Sequence, residues 1–228
     1  MKKEHPIIFS TPMVEAILSG RKTQTRRLVK WPLTSQSDGC NKRRLFVEND
    51  AQKVIDLLKT ESRHLKARIR MPYGYVGDRL WVREAWSLPK DWDDARPGII
   101  SKDTKPYLKY LAKPQAIQTV VLYPNREGKW RSPIYMPRWA SRITLEITDI
   151  RIQRLWDISE NDAKAEGINP IELCCGSPVQ DNNGEPICCD RPYLDWREAF
   201  LDLWKKIHRP QSWMENSWVW ALSFKRAE

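Results

Sequence analysis

The chain has 228 residues, enough to bury a core without disulfide bridges, which excludes a small disulfide-stapled scaffold. Hydrophobic residues make up 41% of it and charged residues 30%, a composition typical of globular proteins and not of disordered ones. The formal net charge is +10, and the sequence contains 12 Trp, 7 Tyr and 4 Phe. A basic chain attracts polyanions or acidic membrane surfaces, and the aromatic residues favour nucleic acid, because unstacked bases pack on flat side chains.

The sequence predicts a cytoplasmic protein without a membrane partner. No stretch is long and apolar enough to cross a bilayer, and residues 1–6 lead into only three apolar residues, fewer than a signal peptide needs. Five cysteines, an odd number, also disfavour a secreted disulfide framework. Nothing in the sequence indicates an oligomeric state.

The first part of the chain predicts a strand, a helix and a second strand. Residues 7–9 favour a short strand, and Thr11 can cap a helix that ends before Gly20. A second strand is expected over residues 23–29. The pattern then weakens, so we predict an insertion with one helix over about 30–70.

The centre of the chain predicts strands and hairpins. Residues 79–86 alternate as one strand, in which Glu84 lies on the apolar side. Residues 87–137 favour loops and hairpins, which include an insertion over about 87–135. The alternation returns at residue 141 and slips in phase at residues 148–149, which predicts a bulge in a long, bent strand.

The last part of the chain predicts two helices and a strand. Ser159 begins a sequence like a capping box, so a short helix is expected over residues 160–166. A third insertion follows over about 168–192. Apolar residues at helical spacing then indicate a helix over 196–207, and alternating aromatic residues indicate a strand over 218–224.

This mixed order of elements predicts an α+β fold. A mainly antiparallel β-barrel with peripheral helices fits it better than a parallel β-α-β array. We therefore expect a single domain over residues 1–228, with insertions at about 30–70, 87–135 and 168–192.

The densest group of polar residues lies at residues 20–27, between the first helix and the strand that follows. Thr25 and Arg27 should share a face of that strand, and Lys22 in the turn can move toward them. Ammonium, hydroxyl and guanidinium groups together suit a phosphate or a carbonyl oxygen. Cations at a helix C-terminus are also favourable without any ligand, so the residues alone leave both interpretations open.

The same segment resembles the signature of the ASCH domains, a branch of the PUA-like β-barrel superfamily linked to RNA. Four residues match the pattern G-x-K-x-x-T-x-R, namely Gly20, Lys22, Thr25 and Arg27. Residues 77–84 and 136–143 also resemble phage- and prophage-borne members of this group. The resemblance covers the chain from end to end, with gaps at the insertions, and it implies a PUA-like fold.

One ASCH family, the bacterial N4-acetylcytidine amidohydrolases, is similar enough to compare residue by residue. Its implied catalytic set is a Lys and a Thr of the motif and a Glu on a later helix. The resemblance places these roles on Lys22, Thr25 and Glu166, with no cofactor required. Glu166 has independent support, because a carboxylate in the last turn of a helix is unfavourable, and such departures tend to mark functional sites.

Two classes of function follow. The first is a hydrolase, either an amidohydrolase on a modified nucleoside such as N4-acetylcytidine or a ribonuclease, in which Lys22 activates Thr25 or a water and Glu166 moves the proton. The second is a non-catalytic module that binds RNA or single-stranded DNA in the same pocket. A further alternative is a phage-encoded interaction protein whose insertions, and not the pocket, carry the function. The side chains expected to contact nucleic acid or substrate are Arg21, Arg26, Arg27, Arg83, Glu84, Arg138 and Arg142.

Two cysteine pairs bracket the third insertion's loop. They are Cys174, Cys175, Cys188 and Cys189. Four thiolates could hold a structural Zn²⁺, but zinc ligands are usually two to four residues apart, and adjacent cysteines converge less readily on one ion. A zinc site and free thiols both stay open, and the spacing favours free thiols.

Overall fold

A computed structural model describes residues 2–31, 33–35, 44–46, 54, 72–94, 108–112, 127–168, 179–180, 186–187 and 195–227. In chain order, the strands and α-helices within these ranges are β1 (Glu4–Ile8), α1 (Thr11–Leu18), β2 (Gln24–Leu28), β3 (Leu33–Ser35), β4 (Arg44–Phe46), β5 (Arg79–Arg83), β6 (Trp86–Pro89), β7 (Lys109–Tyr110), β8 (Glu127–Arg131), β9 (Thr144–Arg154), α2 (Glu160–Ala165), β10 (Val179–Gln180), β11 (Pro186–Ile187), α3 (Trp196–Ile207), α4 (Pro210–Met214) and β12 (Trp218–Arg226).

The fold is α+β, and most of its strand pairs are antiparallel. The largest sheet has the order β1-β5-β9-β12-β2; β1 and β5 pair in parallel, whereas β5 with β9 and β12 with β2 are antiparallel. The smaller sheets, β7-β6-β8, β3-β4 and β10-β11, are antiparallel. The predicted α+β class with mainly antiparallel strands is confirmed.

The chain folds as two compact units. The first comprises Met1–Arg21, Tyr73–Thr148 and Phe224–Glu228, and the second comprises Lys22–Pro72 and Asp149–Ser223. The predicted insertions lie largely outside the described residues, so a single domain with three insertions stays a prediction. None of the described helices is both long and apolar enough to span a lipid bilayer.

In the first unit, α1 follows β1 almost as the sequence predicts. The helix begins at Thr11, with Ser10 and not Thr11 at the N-cap, because the first helical hydrogen bond runs from the N–H of Val14 to the carbonyl of Ser10 at 2.9 Å; Pro12 lies in the first turn, where a missing N–H is tolerated. It buries Val14 and neighbouring apolar residues. Gly20 then takes a φ of +76°, a left-handed conformation that favours glycine after a helix.

The strand predicted over residues 79–86 is interrupted. β5 ends at Arg83, and β6 begins at Trp86, where the chain leaves β9 and pairs with β7 and β8 instead. At the break, the backbone N–H of Glu84 donates to Sδ of Met136 at 3.4 Å. The prediction of one strand was wrong because the alternation of apolar and polar residues continues from β5 into β6, although the two segments pair with different strands. Those partner strands are distant in sequence, so the alternation does not reveal the change.

The phase slip predicted in the long strand is present in β9. Leu145 and Ile147 are buried, Thr148 and Asp149 are both exposed, and burial resumes at Ile150. Because two successive residues are exposed, the buried side chains change from odd-numbered to even-numbered positions while the strand continues.

In the second unit, α3 carries the apolar core. Its bounds match the prediction, and Asp195 caps it by accepting from the backbone N–H of Arg197 at 2.9 Å. Phe200 and Trp204 are buried on one face and their rings lie 5.7 Å apart. The buried core here consists of Leu155, Ile158, Ala163, Ile168, Ala199, Phe200, Trp204 and Val219.

His208, just after α3, makes the second unit sensitive to acid. Its ring stacks on Trp204 at 4.0 Å, and burial lowers its pKa below the usual 6.5, with Arg27 lowering it further. Between the folded pKa and 6.5 the unfolded chain binds more protons, so stability falls as the pH drops through this window. The urea concentration at the unfolding midpoint should therefore be lower at about pH 5 than at about pH 7. This difference should be smaller in His208→Phe. An equal fall in both proteins would contradict this.

Candidate functional site

The turn before β2 and the end of α2 are joined by their backbones, within the second unit. Lys22 and Glu166 form an isolated antiparallel β-bridge, and the N–H of Thr23 donates to the carbonyl of Ala165 at 2.9 Å. Glu166 is the C-cap residue of α2. These contacts bring together two side chains that lie 144 positions apart in sequence.

Lys22 and Glu166 form a buried ion pair. The Lys22 ammonium donates to Glu166 Oε2 at 2.7 Å and to the Glu166 backbone carbonyl at 2.9 Å. The Lys22 side chain is 0% exposed and that of Glu166 is 4% exposed. Because both charges have left water, each depends on the other for stabilisation.

Arg26, whose side chain is also fully buried, holds the other carboxylate oxygen. Its Nη1 donates to Glu166 Oε1 at 3.1 Å and to Gln24 Oε1 at 2.7 Å, and its Nη2 donates to Asp162 Oδ2 at 3.0 Å. The guanidinium thus bridges Asp162, in the first turn of α2, and Glu166, the C-cap residue four positions later. Such a planar fork suits two carboxylates at once.

Asp162 connects this cluster to the surface. It accepts from Gln24 Nε2 and from Arg151 Nη2, both at 3.2 Å, and its backbone N–H is capped by Ser159 Oγ at 3.1 Å. Burial raises the pKa of Asp162, but Arg26 and Arg151 outweigh that effect and hold the pKa below its usual range. Asp162 therefore stays ionised at neutral pH.

Burial lowers the pKa of Lys22 below its usual range. Glu166 raises the pKa and opposes this effect, while Arg27 and Arg26 lower it further. Loss of water is thus the larger cause of the lowered pKa, and the cationic neighbours are the smaller one. A lysine of lowered pKa hydrogen-bonded to a carboxylate can give up and recover a proton within one contact.

Thr25 and Arg27 occupy the other face of β2. Thr25 is buried and pairs with Leu222 of β12, and Arg27 is partly buried. Side chains alternate along a strand, so these two point opposite to Gln24 and Arg26.

The expectation that Lys22 moves toward Thr25 and Arg27 stays a prediction. The Lys22 ammonium is hydrogen-bonded to Glu166, because a buried amine needs an acceptor. Arg21, the remaining predicted contact of this segment, is exposed, and its Nε donates to Ser19 Oγ at 3.1 Å.

Two residues of the cluster, Gln24 and Asp162, were not predicted from the sequence. A signal for both exists. Gln24 lies between Lys22 and Arg26 at the spacing of two that shares a strand face, and Asp162 precedes Glu166 by four, the spacing that shares a helix face.

The first unit contains a further ion pair, formed by the buried Glu84 and the partly buried Arg142. Arg142 Nε and Nη2 each donate to one oxygen of Glu84 at 2.8 Å, and Nη2 also donates to the carbonyl of Ala112. Its guanidinium stacks 4.1 Å from the Tyr110 ring centre. Burial raises the pKa of Tyr110 to about 12, and its hydroxyl donates to the carbonyl of Ala140. Glu84 and Arg142 therefore contact each other in this unit.

Arg83 and Arg138, also in the first unit, both lie near Trp81. Their guanidinium carbons are 4.5 Å and 6.0 Å from its ring centre. Arg83 donates to the carbonyl of Ile134, and Arg138 forms a two-point ion pair with Glu4. Both arginines keep part of their surface exposed.

The four cysteines of the suggested zinc site, Cys174, Cys175, Cys188 and Cys189, lie outside the described residues. Among the residues that are described, no three His, Cys, Asp or Glu side chains are grouped to hold a metal ion. A structural zinc therefore stays a prediction.

No protein-family model matches the chain, and comparisons with curated proteins and with solved structures also find no match. The case for a function therefore depends on the geometry of the site and on the residues that resemble the ASCH signature.

Proposed function

We propose that this chain is a cytoplasmic hydrolase acting on RNA or on a modified nucleoside such as N4-acetylcytidine, with Lys22 and Glu166 transferring the proton. The observation that supports this is the buried contact of 2.7 Å between Lys22 Nζ and Glu166 Oε2. A site that only binds phosphate has no use for a buried carboxylate at a helix C-terminus, where both the helix dipole and the phosphate oppose its charge.

Hydrolysis of an N4-acyl group would proceed in balanced steps. A neutral Lys22 amine accepts the proton of the attacking hydroxyl, which belongs to a water or to Thr25, as a new C–O bond forms at the acyl carbon. The C–N bond then breaks, and the exocyclic nitrogen takes up the proton. With water the acid is released directly; with Thr25 a second water must cleave the ester. Glu166 accepts and returns the proton of Lys22 along their hydrogen bond.

Negative charge develops on the acyl oxygen during attack. Arg27 or backbone N–H groups would stabilise it, since fixed donors in a site without water are effective there. We also propose that the mainly antiparallel sheet belongs to a PUA-like barrel of the ASCH type, which the G-x-K-x-x-T-x-R pattern supports.

Lys22→Arg tests this proposal, because arginine keeps the buried positive charge but does not release its proton near neutral pH. We expect wild type to hydrolyse N4-acetylcytidine, an acetylated RNA or plain single-stranded RNA, and Lys22→Arg to lower kcat by about 10²–10⁴-fold. Lys164→Arg, an exposed change on α2, is the matched control and should leave kcat as it is. Equal turnover by wild type and Lys22→Arg would contradict the proposal.

A second candidate function, a nucleic-acid-binding module, is favoured by a surface of the first unit. Tyr135 is 70% exposed and Ile134 57%, and the Ile134 carbonyl accepts from Arg83, which stacks on Trp81. Exposed aromatic and basic side chains suit unstacked bases and phosphates. A salt titration of binding to single-stranded RNA and DNA tests it, since weak, salt-insensitive binding would remove this candidate.

A further inference from the structure

We propose that Arg26 is the positioning residue of the Lys22–Glu166 pair: it holds the Glu166 carboxylate in the orientation in which Oε2 meets the Lys22 ammonium. This inference rests on the proposed function and adds to it a residue that the G-x-K-x-x-T-x-R signature leaves unspecified.

The Glu166 carboxylate is held at both of its oxygens by different cations. Oε2 accepts from Lys22 at 2.7 Å, and Oε1 accepts from Arg26 Nη1 at 3.1 Å. Rotation of the carboxylate about its last bond would break both contacts in a place where water cannot replace them. Arg26 therefore fixes the plane of the carboxylate, so that one of its oxygens faces the Lys22 ammonium.

Arg26 is itself fixed from three directions. Gln24 Oε1 accepts from its Nη1, Asp162 Oδ2 accepts from its Nη2, and its guanidinium carbon lies 5.7 Å from the Phe200 ring centre. Two donors in one rigid plane reach both Glu166 and Asp162. A lysine at this position would carry the same charge at a single point and could not hold both.

Arg26→Lys is the variant that separates positioning from charge. A merely structural role predicts lower stability with kcat unchanged in the folded fraction. A positioning role predicts a fall in kcat of about 10²-fold, because misplacing a reacting group by about 1 Å has that effect, with KM unchanged. Arg154→Lys is the matched control: Arg154 lies on β9, stacks on Trp218 and donates to the Asn216 carbonyl.

Asp162→Asn provides a second variant if Arg26→Lys does not fold. It leaves Arg26 in place but removes the charge that anchors its Nη2, so kcat should fall in the same sense by about tenfold, again without a change in KM. A kcat equal to that of wild type in both folded variants would overturn the inference. A loss in kcat/KM that comes entirely from a higher KM would also overturn it.

A measurement that needs no substrate distinguishes a failure of the positioning role of Arg26 from a failure of the proposed function. Hydrogen exchange of the Lys22 Nζ protons, followed by NMR, should be slow in wild type and about tenfold faster in Arg26→Lys, because the acceptor is then no longer held. Unchanged exchange would overturn the positioning role. If exchange rises as expected while wild type hydrolyses none of the substrates, the proposed function fails and the positioning of Glu166 by Arg26 stands.

Discussion

Replacing Lys22 with Met should lower the free energy of unfolding by about 3–5 kcal/mol, since it leaves the Glu166 carboxylate buried without its ammonium. Methionine has nearly the length of lysine, so little of the loss comes from an empty cavity. Chemical denaturation in urea, followed by tryptophan fluorescence, measures the change. This effect is independent of any activity, because it follows from the burial of the pair alone.

Two further variants make this expectation specific. Lys164→Met removes an exposed lysine that pairs with Glu160 on α2 and should change stability by no more than about 0.5 kcal/mol. The double variant Lys22→Met/Glu166→Met removes both buried charges and should recover most of the loss. A loss in the double variant that equals or exceeds the loss in Lys22→Met would contradict the account, because it would mean that the charges do not stabilise each other.

Replacing Arg142 with Met should destabilise the first unit by about 3 kcal/mol, because Glu84 would lose both donors to its carboxylate. Glu84 is 1% exposed, whereas Arg142 is 25% exposed, so access of water reduces the loss somewhat. The measurement is again urea denaturation, with circular dichroism to report the β-structure.

Arg138→Met is the matched control for Arg142→Met. Arg138 also donates two hydrogen bonds to one carboxylate, that of Glu4, but both side chains are more than a third exposed. Exposed pairs contribute about 0–1 kcal/mol. Equal losses for the two variants would show that burial of Glu84 does not govern the effect. Arg142 donates to Glu84 and Ala112 through Nε and Nη2, and its predicted contact with nucleic acid stays a prediction.

Elements formed by local patterns could be predicted closely. The bounds of α3 follow from apolar residues at helical spacing, and the phase slip of β9 follows from the change in parity before Ile150. Both patterns depend only on which side of the element faces the core. The short helix α4 was missed, because five residues carry too little periodicity to be recognised.

Features that depend on distant partners could not be derived in the same way. The break at Glu84 requires knowing that β6 pairs with β8, and alternation contains no such information. Lys22 and Glu166 are 144 positions apart, so spacing could place each on its element but could not pair them. Resemblance to the ASCH signature supplied Lys22 and resemblance to the N4-acetylcytidine amidohydrolases supplied Glu166, whereas Gln24 and Asp162 became apparent only from the contacts of Arg26.

The most direct test of the central claim is the rate of acid release from N4-acetylcytidine and acetylated RNA by wild type, Glu166→Gln and Glu160→Gln. Glutamine keeps the size and polarity of Glu166 but cannot accept a proton at neutral pH, while Glu160 is an exposed glutamate on the same helix. We predict that Glu166→Gln lowers kcat by about 10²–10⁴-fold and that Glu160→Gln matches wild type. Equal rates for all three proteins, or no hydrolysis by wild type, would contradict the claim that the Lys22–Glu166 pair is a catalytic centre.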